Sequence, residues 1–428
     1  SSPHVSLRFP EGPRGGYNQD APGTGSLYHL RSWDRKNRPP APEGEILLPP
    51  SPFSRAPALR EGRFLQRLNR FVVEADLGGR TVRAHLPNPG RLLELLVPGR
   101  PLWLAPSGGT PPFRAVGVQR LDAFVPLDTL RANDAAEHLL RRRGIPGLED
   151  AAVTRREVAV GASRFDFLLQ RSGGPFLLEV KCCTLFDRRL ALFPDAPSLR
   201  GRRHLDHLGE LASSGQPCGV LFLVQAPVPR AFLPDWHTDP EFAASLFAAR
   251  DRGVEVFVAA LSWDEAFRLS PEVRELPVPW EAGMREARDR GSYLLVLELS
   301  RDEILPVGAL GERFFPKGYY VYAGSARGGL SARLARHRRV GKKLHGHIDF
   351  LRERCRVVRD LPVRSSRDEE CELARRVGEL AEEAVPRFGC SDCSCPSHLF
   401  RFAEDPSRCG PLFEAVLDLR TRLPELEP

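Results

Sequence analysis

The sequence has no long hydrophobic run. Its longest apolar stretches, Gly219–Gln225 and Tyr293–Leu299, fall far short of the ~20 residues a membrane-spanning helix needs. That excludes an integral helical membrane protein. No apolar stretch stands behind a basic start at the N-terminus, so no secretory signal is expected. Nine cysteines in 428 residues form no evenly spaced framework, which points to a reducing, cytoplasmic setting. There is no glycine-rich phosphate loop of the G-x-x-x-x-G-K type, which argues against an enzyme of small phosphorylated metabolites. Internal repeats are also lacking.

What is present is an ordinary globular composition, 42% hydrophobic and 27% charged. At roughly 150 residues per domain the length predicts two or three domains. Arginine far outnumbers lysine, and Lys+Arg 62 against Asp+Glu 55 leaves a net charge of +7. A modest excess suits a polyanionic partner if it is clustered, and compositional bias accounts for it equally well.

Residues 1–60 are rich in Pro, Gly, Ser and Arg, as in Leu48-Pro-Pro-Ser-Pro, and are expected to form a disordered tail. From Gly62 a period near two through Phe71-Val-Val-Glu-Ala-Asp-Leu and Thr81-Val-Arg-Ala-His, split by Gly78-Gly79, predicts a β-meander. A turn at Asn88-Pro-Gly, a short helical piece at 91–96 and a strand at 101–104 complete a small barrel over 62–127. A mixed α/β unit is expected over 128–265, with a helix at 133–143, a strand hairpin at 164–184, a helix at 199–213 and a strand at 219–225. Proline and a charged run mark 266–290 as a linker. A second α/β unit follows over 291–401, with strands at 293–299 and 318–324, helices at 328–339 and 368–384, and a C-terminal extension over 402–428.

The sharpest constellation is Asp166 with Glu179 and Lys181. A hairpin turning at Ser172-Gly173 pairs residues whose numbers sum to 345, as those of Asp166 and Glu179 do. Their Cβ atoms then stand about 5 Å apart, and Lys181 shares the face. Facing carboxylates repel unless a cation lies between them. Mg²⁺ or Mn²⁺ takes one or two carboxylates and binds phosphate oxygens, and a neighbouring lysine can orient or deprotonate water. The bland alternative is a solvated strand face with cross-strand ion pairs. On the 199–213 helix, Arg200, Arg203, His204 and His207 fall within about a 100° arc that suits phosphate contacts. His85 and Asn88 sit on a barrel turn, where they contact nucleic acid or merely cap the turn.

This hairpin resembles the D…ExK core of the PD-(D/E)xK nuclease superfamily, and residues 62–265 resemble the SfsA, or sugar fermentation stimulation, family. The matching stretches are Ala84-His-Leu-Pro-Asn88-Pro-Gly90, Gly161-Ala-Ser-Arg-Phe-Asp166-Phe, Leu178-Glu-Val-Lys181 and Leu192-Phe-Pro-Asp195, with Arg200-Gly-Arg-Arg-His204 after them. The chain departs at Leu86 and Pro89, where the family has Cys and Thr, and at Cys182-Cys183, where it has Asn-Val. The resemblance implies an OB-like barrel followed by a nuclease-like domain that binds DNA, with Glu137 as a further acidic metal ligand.

Residues 291–401 resemble a GIY-YIG-like domain family through Tyr319-Tyr-Val-Tyr-Ala-Gly-Ser, Arg336-His337, His345-Gly-His347-Ile-Asp349 and Cys390-Ser-Asp-Cys-Ser-Cys395-Pro-Ser-His398. That resemblance implies catalytic roles for Tyr293, Tyr322 and Arg333, with Glu370 or Glu372 as the acid; Glu370 is taken. A zinc ion at Cys393, Cys395 and His398 is disfavoured: the spacing is no standard structural pattern, and the fourth ligand is open among Cys390, Asp392, Cys409, His345 and His347. The expectation is therefore an α/β, multidomain DNA-binding protein that hydrolyses phosphodiesters with Mg²⁺ or Mn²⁺. The alternative is a non-catalytic DNA-binding regulator of sugar metabolism on a nuclease scaffold.

Overall fold

The computed structural model describes residues 58–341, 343–423 and 426. The expected disordered tail lies outside the described residues except at its end, where Arg60 already opens a strand. Among the described residues, no helix is long and apolar enough to cross a membrane.

The first unit comprises β1 (Arg60–Asn69), β2 (Val72–Asp76), β3 (Thr81–His85), β4 (Pro101–Pro106), β5 (Phe113–Arg120) and β6 (Ala123–Pro126). Antiparallel pairing runs β3-β2-β1-β4-β5, and a parallel contact at Ala84↔Phe113 and His85↔Arg114 joins β3 to β5. That contact closes a five-stranded, OB-like barrel, with β6 added to β5. Alternate residues such as Val73, Ala75, Ala84, Leu102 and Leu104 fill it. Residues 91–96, expected as a helical piece, form turns instead.

After α1 (Ala132–Arg141) come β7 (Ala152–Val160), β8 (Ser163–Arg171), β9 (Gly174–Cys183), β10 (Leu185–Phe186), β11 (Leu190–Phe193), α2 (Leu199–Ser213), β12 (Cys218–Val224), β13 (Ala231–Pro234), α3 (Pro240–Asp251) and β14 (Glu255–Ala260). The main sheet has the order β15-β14-β12-β9-β8-β7, where β15 is Arg274–Glu275. Its β9, β12 and β14 are parallel, and β7-β8-β9 is an antiparallel meander. Val220, Phe222 and Val224 pack toward α2, α3 and the barrel core, while Leu221 and Leu223 pack toward α1. A strand buried on both faces reads as the unbroken run Cys218–Val224.

The stretch 266–290, expected as a linker, is partly structured. Its β15 pairs with β14, and α4 (Trp280–Glu286) packs so closely that a Cβ on Gly283 would lie 2.8 Å from Leu233.

The C-terminal unit consists of β16 (Gly291–Leu299), the hairpin β17 (Glu303–Pro306) and β18 (Glu312–Phe315), β19 (Gly318–Ala326), α5 (Leu330–Arg338), α6 (His347–Arg352), β20 (Arg356–Arg364), α7 (Glu370–Gly378), β21 (Glu383–Ala384), β22 (Leu399–Phe402) and α8 (Gly410–Arg420). Its antiparallel sheet has the order β20-β16-β19-β22-β21. Helix α7 is shorter than expected, because the chain beyond Leu380 turns back to pair Glu383 and Ala384 with β22. Of the stretch 402–428, expected as an extension, described residues contribute to two cores. Leu412, Phe413, Val416 and Leu419 of α8 complete one core of this unit, and Leu417 joins a cluster with Leu185, Leu190 and Trp236 of the preceding unit. Buried Arg120 forms an ion pair with Glu414 beside it.

Candidate functional site

The hairpin follows the register inferred from its turn: Phe167↔Leu178, Leu168↔Leu177 and Leu169↔Phe176. The ladder ends at Phe167↔Leu178, where Asp166 and Glu179 would form the next pair. There the strands part. Asp166 Oδ2 accepts the Val180 N–H at 2.7 Å, and Oδ1 accepts Asn133 Nδ2 at 2.7 Å from the first turn of α1. Phe165, which strand alternation would put on the same sheet face as Phe167, turns instead toward α2 and packs against His204 and His207. This break in alternation opens a cleft of about 420 Å³ that Asp166, Glu179 and Lys181 line together.

Glu179 is buried. Its Oε1 takes Lys181 Nζ and His204 Nδ1, each at 2.5 Å, while its Oε2 has no hydrogen-bond partner among the described residues. Burial raises the carboxyl of Glu179, but the bonds from His204 and Lys181 outweigh it and hold the group below its usual range. Asp166 moves the other way. Burial first, then the charge of Glu179, push it up to about 6. Two nearby acids are thus set apart in pKa by their surroundings, the pattern that separates roles in hydrolytic sites.

His204 was expected on a basic arc suited to phosphate contacts. It is buried and serves Glu179 instead, because the N-terminal half of α2 leans on the sheet at Gly201, His204, Leu205 and Leu208. His207 binds Ser163 Oγ at 2.7 Å. Of the arc's arginines, Arg200 reaches the cleft lining, and Arg203 is exposed elsewhere on the helix. Asn88 lines the cleft, but its side-chain oxygen caps its own turn by accepting Gly90 N at 2.9 Å. His85 is half-buried on β3 and does not line the cleft. Glu137, expected as a further metal ligand, does not line the cleft: its oxygens bind Arg141 at 2.6 Å and Arg156 at 2.9 Å in an ion-pair cluster on α1.

Two residues in the site were given no role from sequence. Asn133 fixes Asp166, and an amide one residue into a helix gives no periodic signal. Asp195 lines the cleft and accepts Leu92 N at 3.2 Å; burial raises its carboxyl. A Cβ on Gly90 would lie 2.2 Å from Asp195 Oδ2, so the barrel loop and the Leu192-Phe-Pro-Asp195 segment meet only because residue 90 is glycine. One signal was legible: lysine is confined to Lys36, Lys181, Lys317, Lys342 and Lys343, so a lysine at 181 is conspicuous in an arginine-rich chain.

In the C-terminal unit Tyr293 on β16 and Tyr322 on β19 have ring centroids 6.3 Å apart. Tyr293 Oη lies 2.8 Å from His337 Nε2. Gly324, opposite Tyr293 in the ladder, has no room for a Cβ, which would stand 2.6 Å from that hydroxyl. Burial pushes both phenols far up, against the charge of exposed Arg333, so both remain hydrogen-bond donors at neutral pH. Glu370, at the start of α7, accepts from Ser325 and lies 3.0 Å from His398 Nδ1. Glu372 pairs instead with Arg375 and Arg376. The side chains of Cys393, Cys395 and His398 converge with Cys371, which was not among the residues considered for the fourth position.

Comparison with known proteins gives three family matches. Residues 65–125 match the SfsA N-terminal OB domain, and residues 130–267 match the sugar fermentation stimulation protein RE domain. The sugar fermentation stimulation protein homolog of Chloroflexus aggregans is 41% identical over 209 residues, 48% of this chain and 80% of that protein. The chain belongs to the SfsA family. The homolog of Methanothermobacter thermautotrophicus is 38% identical over 224 residues, 51% of this chain and 93% of that protein. Residues 292–419 match a domain of unknown function, DUF123, which takes in most of α8. A solved structure of Pyrococcus furiosus SfsA in complex with Ca²⁺ is 33% identical, with a TM-score of 0.48, and covers 51% of this chain and 95% of its own.

Proposed function

We propose that this SfsA-family chain is a divalent-metal-dependent phosphodiesterase acting on nucleic acid, DNA above all, centred on Asp166, Glu179 and Lys181. One observation carries the reading. Glu179 Oε2 is buried at the cleft with no hydrogen-bond partner among the described residues, a state that costs about 1–3 kcal/mol and that a cation relieves. Asp166 and Glu179 would hold Mg²⁺ or Mn²⁺, hard ions that accept one or two carboxylates and leave positions for water and phosphate. When bound, such an ion stabilises charge on a phosphoryl oxygen. Lys181, whose Nζ donates to Glu179 Oε1, would orient the attacking water and manage its proton. His204 keeps Glu179 ionised, and Asn133 fixes the rotamer of Asp166. Arg70 and Arg200 in the cleft lining suit backbone phosphates. In the C-terminal unit the same class of chemistry is read for Tyr293, Tyr322, Arg333 and Glu370, with the two phenols donating to a phosphate or a water.

A second reading, a DNA-binding regulator without turnover, has its own support. Glu179 Oε1 already holds a lysine and a histidine, and both oxygens of Asp166 hold donors, so protein groups partly neutralise the pair. The relatives' name, sugar fermentation stimulation protein homolog, accords with it. The test is incubation with single- and double-stranded DNA and RNA, with Mg²⁺ or Mn²⁺ and with chelator. With the C-terminal unit silenced by Arg333→Ala, the first reading predicts metal-dependent cleavage that is lost in Asp166→Ala and Glu179→Ala and falls ~10²–10⁴-fold in Lys181→Ala. Binding with a steep salt slope and no turnover would select the second.

A further inference from the structure

The two cysteines and the histidine at the end of the chain's GIY-YIG-like unit find a fourth partner in the fold. Cys371 stands in the first turn of α7, one residue after Glu370, and the thiols of Cys393 and Cys395 come to it from the irregular segment between β21 and β22. The ligand atoms of Cys371, Cys393, Cys395 and His398 all lie within 4.8 Å of one another. His398 Nε2 is 3.4 Å from Cys393 Sγ. A tetrahedral zinc ion at ordinary bond lengths separates a thiolate from an imidazole nitrogen by about 3.6 Å, so the pair already has the spacing of two ligands of one ion. The other face of the ring completes the pattern. His398 Nδ1 lies 3.0 Å from Glu370 Oε1, and zinc-ligating histidines characteristically donate their second N–H to a carboxylate.

We propose that Cys371, Cys393, Cys395 and His398 bind one zinc ion in a closed Cys₃His site. Four protein ligands leave no open position, so the role is structural. The segment it secures has little regular hydrogen bonding and crosses directly over Tyr322: a Cβ on Gly389 would lie 2.9 Å from that ring. The same ion ties this segment to the start of α7 and, through His398, orients Glu370. Zinc thus joins the two pieces of chain that carry Glu370 and cover Tyr322. Glu370 is a positioning partner of the ligand, not a ligand.

The experiment is elemental analysis of the full chain purified without added metal, with thiol titration before and after chelation. The expected result is about one zinc per chain, with three thiols shielded from a thiol reagent until the metal is removed. Cys371→Ser and Cys393→Ser lose the zinc, and Cys390→Ser, outside the cluster, retains it. Glu370→Gln retains zinc with affinity weakened ~10–100-fold. Should the cysteine variants fail to fold, X-ray absorption at the zinc edge of the unaltered protein reads the site directly: three sulfurs near about 2.3 Å and one nitrogen near about 2.0 Å. Metal-free protein with reactive thiols, a disulfide between any two of the three cysteines, or a zinc shell of nitrogen and oxygen overturns the proposal.

Discussion

Replacing Asp166 by Asn separates the cost of the carboxylate from its use. Burial and Glu179 raise its pKa from 3.8 to about 6. A group whose folded pKa lies above its unfolded one lends stability that is complete below pH ~4 and lost as pH rises through ~6. At ~1.4 kcal/mol per pH unit, the ionised form costs the metal-free fold up to about 3 kcal/mol at pH 8. Asn has nearly the same shape. Its oxygen accepts the Val180 N–H, and Asn133 can turn its amide to accept from the new NH₂. Asp166→Asn is therefore expected to stabilise the metal-free protein by about 1–3 kcal/mol at pH 8 and to change little at pH 4. The same variant should lose the stabilisation that Mn²⁺ gives the parent. Denaturant unfolding followed by tryptophan fluorescence, in chelator and in Mn²⁺ at both pH values, measures all four quantities. A variant less stable than the parent at pH 8 in chelator, or one still stabilised fully by Mn²⁺, refutes the reasoning.

Three further outcomes follow from the same geometry. Glu179→Gln leaves Lys181 and His204 without their shared anion and is expected to cost about 3 kcal/mol at pH 7, read by the unfolding midpoint. Because the pKa of Glu179 is depressed, that loss shrinks as pH falls below ~4.5. Glu137→Ala, by contrast, is expected to change stability by about 1 kcal/mol or less and to leave metal binding and any cleavage intact, since Glu137 serves Arg141 and Arg156. Gly90→Ala forces Asp195 aside and should cost about 1–3 kcal/mol while weakening nucleic-acid binding in a gel-shift titration.

Much of the fold was legible because its signals are local. The turn at Ser172-Gly173 sets the hairpin register through residue 167, and the 199–213 helix has the predicted bounds. That the two carboxylates and the lysine share one face was legible for the same reason. What was missed depends on where the chain departs from regularity. Strand alternation puts Phe165 with Phe167, but the strands part at Asp166 and the ring turns to α2. An exposed arc on α2 includes His204 only if the helix rolls one way, and its packing rolls it the other. Asp195 and Cys371 join their sites across 105 and 22 residues of chain from Gly90 and Cys393, a distance that spacing rules do not span. Helix α8 had an apolar pattern at 412, 413, 416 and 419, but its worth comes from covering two clusters at once.

Crystals of the full chain soaked in Mn²⁺ and measured at the manganese edge put the main proposition to its most direct trial. An anomalous peak about 2.0–2.6 Å from both a carboxylate oxygen of Asp166 and Glu179 Oε2 is the predicted result. A fully soaked crystal with no manganese in that cleft, and Glu179 Oε2 satisfied by a protein donor or water, would contradict it.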